Sequence, residues 1–116
     1  MPKPIFIKSA GELETLRQAG KILAAIMAEL SRSLKAGMTT SQVNAIAEQL
    51  MAAQHVQPAF KGYRGYPASV CVSINQEVVH GIPGKKVIRD GDLVSLDAGI
   101  IFEKYFSDMA VSIGIG

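Results

Sequence analysis

A chain of 116 residues with 48% apolar and 19% charged residues is the size of one compact domain (residues 1–116), with enough length to bury a modest core and too much hydrophobicity for a disordered segment. Twelve basic and ten acidic residues leave a formal charge of only +2, spread without a block, so no footprint for nucleic acid or an anionic membrane is present. The single cysteine, Cys71, cannot form an internal disulfide, "MPKPIFIKSAGELE" lacks a signal core, and the apolar run at 22–28 is interrupted by Glu29 and Arg32 before it could span a bilayer. A cytoplasmic protein is expected.

The first element is announced by "SAGE", 9–12, where a hydroxyl followed three residues later by a glutamate has the spacing of a capping box. Leu13, Leu16, Gly20, Leu23, Met27, Leu30 and Leu34 then step by three and four along one helix face, and Gly37 is placed to end the helix. "TTSQ", 39–42, repeats the capping logic for a second helix, whose apolar face is Val43, Ile46, Ala47, Leu50 and Met51 and whose end falls near Ala53. Both helices read as scaffold.

After His55 the punctuation changes. "KGYRGYPAS" is a Gly- and Pro-marked loop of the kind that positions side chains. Four β-prone runs follow: "VCVSI" (70–74), "EVVHGI" (77–82), "LVSLDAGII" (93–101) and "YFSDMAVSIGI" (105–115), separated by Asn75, Pro83-Gly84 and Asp90-Gly91. The expected fold class is therefore α+β, two N-terminal helices packed on an antiparallel sheet.

The last two runs carry one aspartate each. A hairpin folded about Phe102-Glu103 sets Asp97 opposite Asp108, and directly opposed like charges are destabilising unless a cation compensates. Two such carboxylates offer hard oxygen ligands to one divalent ion or a close pair of ions. Taken alone, two aspartates in a hairpin are more often a surface charge and a turn residue. His80 in "VVHGIP" precedes a glycine that permits close backbone approach, and is either a site residue or a structural histidine at a strand end. Phe60, Tyr63, Tyr66 and Cys71 suit the wall of an apolar pocket, or a satellite core cluster.

"GYRGYPASVCVSINQEVVHGIP" followed by "GDLVSLDAGIIFEKYFSDMAVS" resembles the bacterial, type I methionine aminopeptidases, over almost the whole chain and in the family's motif order. The resemblance implies half of a pita-bread fold, and an activity that removes the N-terminal methionine from nascent proteins and peptides. It implies that Asp97 and Asp108 are metal ligands, that His80 is a catalytic residue beside the scissile amide, and that Tyr63, Tyr66 and Cys71 line the methionine pocket. Phe60 stands where members of the family vary. The implied cofactors are two divalent metal ions, with Co, Mn, Fe, Zn and Ni not distinguishable from these ligand types.

The family also uses two histidines and two glutamates that follow the matching segment, and no glutamate follows Glu103 here. A catalytic site only half present is thus expected. The alternative is a non-catalytic half-domain that binds metal weakly and forms a homodimer or joins a complementary C-terminal half. "NQEVVHGIP" and the tyrosine loop argue against a proline-specific peptidase of the same fold.

Overall fold

The computed structural model describes residues 9–62, 65–75 and 81–116. Helix α1 spans Ala10–Ser33 and begins with the expected capping box: the Glu12 backbone N–H donates to Ser9 Oγ at 3.1 Å, and the Ser9 N–H donates to Glu12 Oε1 at 3.0 Å. Helix α2, Thr40–Ala53, starts with the second box, Thr39 paired with Gln42. These reciprocal bonds satisfy amide groups that a helix start otherwise leaves unpaired.

The stripe expected on α1 buries Leu23, Met27 and Leu30, with Ala19 and Ile26 beside them. Its first member does not follow, because Leu13 is 52% exposed. There α1 is tied to the sheet by a polar contact, in which the Tyr105 hydroxyl donates to Glu12 Oε2 at 2.9 Å. Nor does Gly37 end the helix. Leu34 is an extended C-cap, and Gly37, at φ +96°, makes the later turn toward α2.

The sheet comprises β1 (Gln57–Pro58), β2 (Val70–Ile74), β3 (Leu93–Phe102) and β4 (Tyr105–Gly114), all pairs antiparallel. β3 is central. β4 follows it along one edge, while β2 and the short β1 divide the other edge between them. Of the expected strand at 77–82, residues 77–80 lie outside the described residues; Gly81 accepts a hydrogen bond from the Val72 N–H at 2.7 Å.

Three apolar rows run across the sheet beneath the helices: Val70–Ala98–Met109, Val72–Leu96–Val111 and Ile74–Val94–Ile113. α1 packs on β3 and β4, α2 on β2 and β1, and one hydrophobic cluster joins the helices to these rows. The α+β arrangement is as expected. No helix among the described residues is long and apolar enough to cross a membrane.

Strand alternation sends the intervening residues to the opposite face, which carries no helix among the described residues. Cys71, Ser73, Ser95, Asp97, Gly99, Phe106 and Asp108 share it. The hairpin register differs from the expected one. Glu103 and Lys104 form the two-residue turn, both at positive φ (47° and 73°), so Asp108 pairs with Gly99 and Asp97 with Ala110. Asp97 and Asp108 are therefore diagonal neighbours rather than directly opposed.

Candidate functional site

Asp97 is half-buried and Asp108 exposed, each on the helix-free face. Diagonal neighbours in an antiparallel pair stand about 7–8 Å apart at the backbone, within reach of side chains that converge on a shared ligand. The pair fits a divalent cation as a source of two hard oxygen donors. Among the described residues, no three His, Cys, Asp or Glu side chains come together as a metal-holding group.

Beside the carboxylates stands an aromatic wall. Cys71 pairs with Asp97 in register. The Tyr66 hydroxyl donates to the Val70 carbonyl at 2.8 Å. Burial pushes the Tyr66 phenol far above its usual range, and the hydrogen-bonded Cys71 side chain and the charge of Asp97 act in the same direction. Tyr66, Cys71 and Asp97 thus form one neighbourhood. The Phe60 ring meets Tyr66 edge-on, centroids 6.5 Å apart and planes at 89°. Tyr63 and His80, the other two expected site residues, lie outside the described residues.

Two members of this face were not singled out from the sequence. Gly99 is buried because Phe60, Ala59 and Phe106 close over it; a Cβ there would come within 2.9 Å of Phe60 Cε1 and 3.4 Å of Phe106 Cζ. Phe106, 56% exposed, lies two residues before Asp108 and so on its face. That alternation was the signal available for it.

The loop bearing Phe60 and Tyr66 is braced by α2. Asn44 Oδ1 accepts from the backbone N–H groups of Ser69 at 2.8 Å and Val70 at 3.3 Å. Glu48 Oε2 accepts from Ser69 Oγ at 2.7 Å and from Lys61 Nζ at 3.0 Å. The Ser69 hydroxyl, foremost, and the Lys61 ammonium hold the Glu48 carboxyl below its usual value of 4.5. A carboxylate depressed on folding stabilises the fold above its unfolded pKa, and that contribution disappears as pH falls through the folded value. Glu48→Gln is accordingly expected to lower stability by about 1 kcal/mol at pH 7, a size set by solvent screening of a partly exposed pair, and by less at pH 3. Urea denaturation of both proteins at the two pH values checks this, and an equal deficit at both would mean that the charge contributes nothing.

Residues 14–116 match metallopeptidase family M24. The chain belongs to that family. This M24 chain is 44% identical over 113 residues to a methionine aminopeptidase of Clostridium acetobutylicum, a match covering 97% of the chain and 45% of the relative. It superposes on the methionine aminopeptidase of Thermotoga maritima with a TM-score of 0.90 at 39% identity, covering 97% of the chain and 46% of that structure. The Pyrococcus furiosus prolidase shares the architecture at a TM-score of 0.80 and 26% identity, covering 95% of the chain and 31% of that structure. The M24 chain therefore spans less than half the length of these relatives, and its two helices and antiparallel sheet are those of the pita-bread metallopeptidases.

Proposed function

We propose that this chain provides one half of a metal-dependent methionine aminopeptidase, acting in the cytoplasm on the N-terminus of peptides and nascent proteins. The reading is carried by one observation: two aspartates share the helix-free face with Tyr66, Cys71 and Phe60, in a chain about 40% identical to methionine aminopeptidases. Identity to the prolidase is much lower, which favours methionine over proline chemistry.

Asp97 and Asp108 would hold the divalent metal, which when bound supplies Lewis-acid polarisation of a carbonyl and activation of water. Phe60, Tyr66 and Cys71 would form the apolar wall that receives an unbranched thioether side chain and orients the first peptide bond, and the family resemblance assigns Tyr63 to the same pocket. By the family resemblance, His80 would hydrogen-bond the substrate amide or the tetrahedral oxyanion, an interaction strongest in the transition state.

The second reading, a non-catalytic module that pairs with a complementary half or a second copy, is favoured by the apolar residues exposed on the helix-free face. Leu93 is 47% exposed, Ile101 39% and Phe106 56%. Methionine release from Met-Ala-Ser, with a divalent ion present, separates the two. Release only when a separately produced C-terminal half of a methionine aminopeptidase is added supports the first reading. Release from no mixture, with the metal still bound, supports the second. Calorimetry should show weak binding of Mn²⁺ by the chain, most of it lost in Asp108→Asn, because two protein carboxylates leave the remaining coordination positions to water. Indistinguishable heats for the two proteins would remove Asp108 from the ligand set.

A further inference from the structure

We propose that Asn44 and Glu48, which lie one turn apart on α2, are positioning residues that set the Phe60–Tyr66 wall beside Asp97. The role of that wall in holding a substrate side chain rests on the function proposed above; the positioning itself rests on geometry alone.

Between β1 and β2, the described residues 59–62 and 65–69 form neither an α-helix nor a strand. Such a segment keeps its side chains in one place only where specific bonds offset the entropy of ordering it. Glu48 supplies a cross-brace: a single oxygen, Oε2, accepts from Lys61 on the outgoing limb and from Ser69 on the returning limb. Ser69 is fully buried, so its hydroxyl has no water to turn to if the carboxylate is removed.

Asn44 acts on the same limb through the backbone. Its Oδ1 fixes the N–H of Val70, whose carbonyl in turn accepts the Tyr66 hydroxyl. The Tyr66 carbonyl accepts the Gly62 N–H at 2.8 Å, and Phe60 packs edge-on against the Tyr66 ring. A continuous set of contacts therefore runs from two side chains of a scaffold helix to both rings, and from Tyr66 to Cys71 and the field of Asp97. At the other end, the Ala59 N–H donates to the Gly99 carbonyl at 2.9 Å, so the loop is held to the sheet at its start and to α2 at its close.

The test uses the 116-residue chain and its variants Asn44→Ala, Glu48→Ala and Glu48→Gln, with Leu50→Ala as a variant that weakens α2 packing from the side of the helix roughly opposite Glu48. Nuclear Overhauser contacts between the Phe60 and Tyr66 rings, amide exchange at Ser69 and Val70, and shifts on titration with L-methioninamide are followed by NMR. In Asn44→Ala the ring contacts should be lost, and exchange at Ser69 and Val70 should quicken by about fivefold or more, the factor that one hydrogen bond represents. Glu48→Ala should lose the ring contacts too, while Glu48→Gln, which keeps an oxygen acceptor, and Leu50→Ala should retain them. Where the wild type shows saturable methioninamide shifts, these should weaken in step with the ring contacts. No methioninamide response in the wild type, with ring contacts still following the variants, would defeat the substrate reading and leave the positioning supported. Intact ring contacts and unchanged Ser69 and Val70 exchange in both alanine variants overturn the positioning.

Discussion

Gly81→Ala should destabilise the protein by about 3 kcal/mol or more, beyond the usual range for overpacking a core. A Cβ at position 81 would stand 1.8 Å from the Val72 carbonyl oxygen, 2.4 Å from its carbon and 2.9 Å from the Ser73 nitrogen. All three atoms are backbone, so no side chain can rotate away. β2 cannot yield either, since Val72 pairs with Leu96 on its other side and is only 2% exposed. The substitution must push residue 81 off β2 and break the bond between the Val72 N–H and the Gly81 carbonyl. A urea midpoint within experimental error of the wild type would show that the two backbones are not in contact in solution.

Leu96→Ala should cost about 2–5 kcal/mol, a substantial part of the whole stability of a domain this size. Leu96 is fully buried at the centre of the row Val72–Leu96–Val111, under the helices, and truncating it leaves a cavity that a three-stranded row cannot close by moving one strand. For a domain of about 100 residues each kcal/mol lowers Tm by about 4–8 °C, so a fall of more than about 8 °C is expected. Ile101→Ala is the control. It lies on the same strand but faces away from the helices and is 39% exposed, and should cost about 1 kcal/mol or less. Similar losses from the two variants would contradict the assignment of the two faces.

The helices were legible because their signals are local: the pairs Ser9 with Glu12 and Thr39 with Gln42 lie within one turn, and the apolar steps lie within one face. The hairpin was legible in its strands and not in its turn. Glu103 and Lys104 both adopt positive φ, yet neither is the Asn or Gly that marks such a turn in a sequence. The expected pairing was off by two residues, and an even offset leaves side chains on their face, so Asp97 and Asp108 remained together although their partners changed. Tyr66 and Cys71 gathered meaning only through resemblance to a family, and Phe60 only through its edge-on contact with Tyr66. The bonds that brace their loop join positions 13 to 26 residues apart, Lys61 to Glu48 and Val70 to Asn44, and no periodicity announces such pairs.

An odd offset would have a different outcome. Asp97 sits between Leu96 and Ala98, both fully buried, and a slip of β3 by one residue would drive its carboxylate under α1 while turning Leu96 out to water. Burying an uncompensated charge and exposing a core leucine are both costly, so a chain paired in that way would not persist. The core thereby proofreads the carboxylates: any molecule stable enough to survive has already placed Asp97 and Asp108 on the outward face. Selection for a well-packed interior and selection for correctly aimed acidic groups are, in this hairpin, the same selection.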